Sequence, residues 1–289
     1  MKPSSSTLMA LGAIALWGTL ASLGVSLSHV PPFLLTGLAL LVGSLIALPL
    51  SGFKLRLWRV PLPTLALGVY GLFGFHFLLF VALRHAPPVQ ANLVNYLWPL
   101  LMVVLAPVFL VGLTLRWRHI LGALLGFAGA AVAILGAADV AIQSSVQGGG
   151  WSWGYLPALG SAFIWASYSL LTQRVPAFPT AAIGEFALVS GLLALLCHVL
   201  MEPAAHLSLR DGLLVVVMGL GPMGAAFFLW DRALKTGDPR HIGLLSYLTP
   251  LASTLLLMVV SGRSLTWAIG LAAVLIIGGA WIGATKKQA

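Results

Sequence analysis

The chain has 289 residues, 60% of them hydrophobic and only 7% charged, with a mean hydropathy of +1.04. A soluble domain carries about 25% charged residues, so this composition excludes a water-covered globule and leaves lipid as the solvent. The net charge of +9 comes with no basic stripe of interleaved aromatics outside the apolar segments, which argues against a nucleic-acid partner, and the lone Cys197 excludes an intramolecular disulfide framework or a cysteine metal cluster.

A membrane helix needs about 20 mostly apolar residues. Ten stretches qualify in chain order: 7–28, 33–51, 62–83, 92–113, 118–138, 153–173, 180–200, 212–234, 240–261 and 266–284. Between them lie breakers and charges such as "HVPP", "GFKLRLWRVP", "RHAPP", "KTGDPRH" and "SGRS". None of these gaps holds a soluble domain. The first stretch is too long for a signal-peptide core and lacks a small-x-small cleavage site after it, so it reads as a retained helix.

The first stretch carries Trp17 about ten residues in, roughly 15 Å deep at a rise of about 1.5 Å per residue. The third carries His76 near its middle, and an ionisable side chain at that depth is a functional candidate. A neutral His bonded to a neighbouring carbonyl fits equally. In the fourth, "NYLWPLL", Asn92, Asn95, Tyr96 and Pro99 share one helical stripe, and Trp98 falls three residues after Asn95. Pro99 withholds a backbone donor from the preceding turn, whose carbonyl must find another partner in lipid.

Ser161, Trp165, Tyr168 and Thr172 form a second polar-aromatic stripe in the sixth stretch. The eighth places Pro222 among glycines, a candidate flexing point, and sets Asp231 and Lys235 at the i,i+4 spacing of a helix ion pair. The ninth, "SYLTPL", repeats the fourth with Ser246, Tyr247, Pro250 and then Ser253 or Thr254. For all these polar and aromatic residues two roles fit: lining a cavity, or holding neighbouring helices together. Trp117, Trp151, Trp153 and Trp267 sit where interfacial tryptophans belong. Glycine pairs such as Gly122 and Gly126, or Gly279 and Gly283, let helices approach closely.

Lys and Arg fall 12 to 3 on alternate sides of the ten stretches, with Arg84, Arg210 and Arg263 as the minority. The positive-inside rule then puts both termini in the cytoplasm. The chain also repeats itself. "LGAIALWG" from Leu11 resembles "LGSAFIWA" from Leu159, and "PVQANLVNYLWPL" from Pro88 resembles "PRHIGLLSYLTPL" from Pro239. Two prolines and a tyrosine stay in register in the second pair. The fold expected is therefore an all-α membrane protein of ten transmembrane helices, residues 1–146 and 147–289 each supplying five. Because five is odd, the second repeat is inverted, and substrate binds at the repeat interface in such architectures.

This arrangement, with Trp in helices 1 and 6 and Pro in helices 4 and 9, resembles the drug/metabolite transporter superfamily of EamA type. "VNYLWPL" and "FIWASY" are similar to its bacterial aromatic amino-acid exporters, the YddG-like group. The resemblance implies export of aromatic amino acids across a bacterial inner membrane, through a cavity closed alternately on each side. Another neutral metabolite or a hydrophobic drug is the alternative cargo. Trp17, His76, Asn95, Tyr96, Trp98, Trp165, Tyr168, Ser246 and Tyr247 are the substrate-binding candidates; Pro99, Pro222 and Pro250 are the gating candidates.

The chain has no HExxH, no GxSxG with partners, no P-loop and no filter-like loop, so an enzyme, a metal or cofactor protein, an ATP-driven pump and a channel are all disfavoured. No carboxylate lies at the centre of any apolar stretch, which points to weakly coupled or uncoupled transport. The partners expected are a small aromatic substrate and the bilayer, and the sequence sets no oligomeric state.

Overall fold

The computed structural model describes residues 4–137, 152–261 and 266–284, which contain helices and turns but no strand. Lys2, Asp139, Trp151, Arg263, Lys286 and Lys287 lie outside the described residues. The helices are α1 (Ser5–Gly18), α2 (Leu20–Ser26), α3 (Pro32–Ser44), α4 (Ala47–Leu50), α5 (Leu62–Val69), α6 (Phe75–His85), α7 (Pro88–Asn95), α8 (Trp98–Phe109) and α9 (Trp117–Ala137). There follow α10 (Tyr155–Leu171), α11 (Ile183–Met201), α12 (Leu209–Leu220), α13 (Ala226–Thr236), α14 (Pro239–Leu245), α15 (Leu248–Ser261) and α16 (Trp267–Ala284).

Seven helical stretches among the described residues are long and apolar enough to cross a membrane: Ser5–Ser26, Pro32–Leu50, Leu62–His85, Pro88–Phe109, Trp117–Gly136, Thr180–Met201 and Leu209–Thr236. They coincide with the first five, the seventh and the eighth expected segments. The other three expected segments are carried by the shorter α10, α14 with α15, and α16.

Most long stretches are interrupted, each for a local reason. Thr19 turns its hydroxyl back onto the Leu16 carbonyl at 2.7 Å, and such back-bonding bends helices between α1 and α2. Pro99 ends α7 upstream of itself, at Asn95. Its ring crowds the carbonyl four residues back and it has no N–H to offer, so the chain turns at Tyr96 and restarts with Pro99 in the first turn of α8. Pro250 does the same between α14 and α15, where the turn falls on Ser246 and Tyr247. Two wider π-helical turns interrupt the chain at Tyr70–Gly74 and Gly221–Ala225. The second contains Pro222. A Cβ on Gly43 of α3 would come within 2.7 Å of the Met223 carbonyl, so backbone packs on backbone there.

Side-chain ties define the two ends of the bundle. At one end the carboxylate of Glu202, closing α11, accepts from Phe33 N at 3.0 Å and Leu34 N at 3.2 Å. It thereby satisfies orphan donors in the first turn of α3. The same group accepts from Arg84 at 2.8 Å and pairs with His198 at 3.0 Å, and its side chain is 1% exposed. At the opposite end Lys235 donates to Asp231 at 2.7 Å and to the Phe178 carbonyl at 2.9 Å. Thr180 also donates to Asp231, at 2.7 Å. Arg240 reaches the Thr114 carbonyl at 2.6 Å and holds Asp238 at 2.7 Å. Burial alone would raise the Asp238 pKa, but its bonds to Arg240 outweigh that and hold the carboxyl below its ordinary value.

Candidate functional site

The helix breaks converge on a cavity of about 520 Å³, inside the range of about 300–1,000 Å³ in which small-molecule sites fall. It runs from the middle of the bundle toward the Glu202 end, where Gly24, Leu83 and Pro88 form part of its wall. Its inner wall is aromatic. Trp17, Trp98, Trp165 and Phe227 line it, and Phe75 adds a further ring 5.4 Å from Trp165. Behind them Trp230 ties the group together, 5.1 Å from Trp17, 5.7 Å from Trp98 and 6.3 Å from Trp165. Its indole N–H donates to Ser169 Oγ at 3.1 Å, so even this ring, 1% exposed, has its polar atom satisfied. Apart from the near-parallel Trp165–Trp230 pair, these rings meet edge-on or tilted.

The remaining wall is apolar with a few polar side chains. His76 contributes from α6, Asn92 and Asn95 from α7, Tyr96 from the turn that follows it, Thr36 from α3, and Thr249 and Ser253 from α15. The π-turn before α6 arises where α5 and α6 lie tight against α10. A Cβ on Gly71 would fall 2.3 Å from the Tyr168 ring, so only glycine admits that ring. His76 is anchored to its own helix, with Nδ1 2.6 Å from the Leu72 carbonyl, and Phe75, Phe80 and Phe227 surround its ring. Asn95 is held against α10 by Ser161 Oγ at 2.8 Å.

The sequence-predicted residues therefore divide. Trp17, His76, Asn95, Tyr96, Trp98 and Trp165 are brought together on the cavity wall. Tyr168 stands one layer back, its ring 5.4 Å from Trp165 and wedged on Gly71. Ser246 and Tyr247 are not on the wall. Ser246 donates to the Ile242 carbonyl of its own helix at 2.9 Å. Tyr247 is 0% exposed and packs on Gly126 of α9 in a cluster with Leu251 and Ile276. The kink before Pro250 turns the next residues inward instead, so Thr249 and Ser253 reach the cavity. Pro99 and Pro250 sit just beyond the two kinks, and Pro222 within its π-turn. Phe227, Trp230 and Thr249 were missed. Trp230 adjoins a charged residue near a segment end and reads as interfacial, and Thr249 looks like any other helical threonine.

A shallower recess of about 490 Å³ lies at the opposite end, among Leu110, Gln173, Arg174 and Asp238. Nothing aromatic lines it.

Comparison with known proteins gives a consistent picture. The chain is 43% identical over 289 residues, 97% of each chain, to a protein of Ancylobacter novellus named aromatic amino acid exporter YddG. An Escherichia coli protein of the same name is 26% identical over 99% of this chain and all of its own length. A Salmonella typhimurium protein named probable amino-acid metabolite efflux pump is 30% identical, covering 95% of this chain and 93% of its own. A solved crystal structure superimposes with a TM-score of 0.87 at 40% identity, covering 98% of both chains. The profile of the EamA-like transporter family matches twice, over residues 4–135 and again over 152–284. Apolar helices around a polar-rimmed aromatic cavity, with that double match across nearly the whole chain, make this protein a member of the EamA-like transporter family.

Proposed function

We propose that this protein is a secondary transporter that exports aromatic amino acids and related neutral aromatic molecules by alternating access. The observation that carries the reading is the cavity: five aromatic rings on its inner wall, uncharged polar groups on the rest, and no Asp or Glu among its lining residues. A flat ring finds aromatic side chains to pack against, and a zwitterion with no net charge finds hydrogen bonds without a buried counter-ion. The name of the 43%-identical relative favours the same cargo.

The architecture we propose is ten transmembrane helices in two inverted five-helix repeats, 1–146 and 147–289. The double family match and the paired kinks before Pro99 and Pro250 support it. Both termini then lie in the cytoplasm of a bacterium, with the protein in its inner membrane. Among the described residues Arg84 and Arg210 belong to the Glu202 side, whereas Lys54, Arg56, Arg59, Arg116, Arg118, Arg174, Arg232, Lys235 and Arg240 belong to the other. By the positive-inside rule the cavity faces outward in this conformation. Without a carboxylate on its wall, transport runs down the substrate gradient with weak or no ion coupling.

The test uses purified protein in liposomes loaded with labelled phenylalanine or alanine, with and without proton and sodium gradients. The reading expects phenylalanine to leave faster than alanine, and imposed ion gradients to change the rate little. Equal release of the two amino acids removes the aromatic assignment. Uphill accumulation driven by a pH gradient alone removes the uncoupled mechanism.

A further inference from the structure

Three polar groups on the cavity wall have bonding capacity that their own helices leave unused, and they differ in kind. The first is His76. Its Nδ1 lies 2.6 Å from the Leu72 carbonyl oxygen, which can only accept, so Nδ1 carries the proton. In the neutral ring Nε2 is then a bare acceptor.

The second is Asn95. Ser161 Oγ lies 2.8 Å from the Asn95 amide oxygen and 2.7 Å from the Ala158 carbonyl. A hydroxyl has one proton and cannot donate to both. Turning the Asn95 amide by a half rotation makes both contacts hydrogen bonds: Asn95 Nδ2 donates to Ser161 Oγ, and Ser161 donates to Ala158. Serine back-bonding of this kind recurs at Ser167 and Ser246. The Asn95 carbonyl oxygen is thereby released to the cavity as a second acceptor.

The third is Thr249. Its hydroxyl is buried without any partner among the described residues, on a side chain that lines the cavity and belongs to a residue 6% exposed. The Ser246 carbonyl, one turn back, already receives the Thr249 backbone N–H at 3.0 Å. Thr36, Asn92, Tyr96 and Ser253 also line the wall, but Thr249 alone among the lining residues buries a polar side-chain atom with no bond made.

An ammonium group only donates and a carboxylate only accepts. We infer that the cavity is chemically polarised: Asn95 Oδ1 and His76 Nε2 take the ammonium of an amino acid, and the Thr249 hydroxyl donates to its carboxylate. This assignment rests on the transport function proposed above. It places the ammonium site in the first family-matched stretch and the carboxylate site in the second, so the bound zwitterion bridges the two.

Equilibrium binding to the purified full chain tests this with three labelled ligands: phenylalanine, phenethylamine, which has no carboxylate, and 3-phenylpropanoate, which has no ammonium. Thr249→Val keeps the shape and removes the hydroxyl. It should weaken phenylalanine and 3-phenylpropanoate by about tenfold, the scale of one hydrogen bond to a charged group, and leave phenethylamine unchanged. Thr249→Ser should restore both. Asn95→Leu should give the mirror pattern, weakening phenylalanine and phenethylamine, and Asn95→Asp should tighten phenethylamine while weakening 3-phenylpropanoate. Retained binding of one analogue certifies the fold of each variant. Equal losses of both analogues, or no loss, overturn the inference while leaving the transport reading intact. A wild-type chain that binds no phenylalanine overturns both.

Discussion

At the scale of the residue, Asp231 shows how a charge is kept inside an apolar bundle. One carboxylate oxygen accepts from Lys235 and Thr180, and the other is buried without a partner among the described residues. The Lys235 ammonium also lies 3.8 Å from the centre of the Phe178 ring, so the pair clamps α13 onto the link between α10 and α11. Removing one member of such a pair leaves an uncompensated buried charge, a loss of about 3–5 kcal/mol, whereas replacing both is nearly neutral. Lys235→Met should therefore fall apart on mild heating in detergent, and Asp231→Asn with Lys235→Met should recover most of the stability, read as the monodisperse fraction after a temperature series. The tryptophans make a different prediction. Trp165 lines the cavity and contacts six other rings: Trp17, Phe75, Trp98, Tyr168, Phe227 and Trp230. Trp165→Ala should reduce phenylalanine exchange at least several-fold more than alanine exchange, since base-like stacking on an aromatic is worth about 1–3 kcal/mol. An unchanged ratio of the two rates would make the ring a packing element only.

At the scale of the element, breaks in the helices place the site. The kink at Tyr96 and the turn at Tyr70–Gly74 bring His76, Asn95 and Tyr96 to one wall. The second depends on Gly71, where α10 presses the Tyr168 ring onto bare backbone. Gly71→Val has no room for its side chain, and overpacking of this sort destabilises by about 1–3 kcal/mol. Its expected signature is a lower unfolding temperature together with weaker phenylalanine binding, because moving Tyr168 also moves Trp165. Gly71→Val with Tyr168→Ala should restore stability without restoring binding. The breaks before Pro99 and Pro250 were legible in the sequence, since each proline withholds a donor from the preceding turn, although Pro107 lies inside α8 without breaking it. Their direction was not. A proline says that the axis bends but not which neighbour the freed residues then meet, and so Tyr247 was expected on a wall that Thr249 occupies.

At the scale of the molecule, one end is open and the other shut. Trp230, Leu234 and the Asp231–Lys235 clamp lie beyond the aromatic wall of the cavity, and Tyr247 is sealed on Gly126. The paired motifs then have unequal surroundings in one conformation: Tyr96 faces the cavity and Tyr247 is enclosed. Alternating access expects the two to exchange roles. In a Cys197→Ala background, Tyr247→Cys should react with a membrane-impermeant thiol reagent only from the cytoplasmic side and faster during turnover, while Tyr96→Cys should react from outside and slow during turnover. Vesicles of defined sidedness provide the measurement. A Tyr247→Cys variant inert from both sides throughout turnover would contradict the exchange.

The sequence by itself determined the solvent, the apolar segments and the breaks before Pro99 and Pro250, because composition, segment length and proline chemistry are local properties of a chain, and it held six of the cavity-wall residues among its candidates without choosing between lining and packing. Tertiary structure alone decided that Trp230 completes the aromatic cluster, that Thr249 rather than Ser246 reaches the cavity, and that Tyr168 stands behind Trp165. The physical reason is that these helices are apolar on nearly every side. Lipid and protein interior select the same residues, so no hydrophobic stripe marks the inward face, and only contacts between distant parts of the chain choose it.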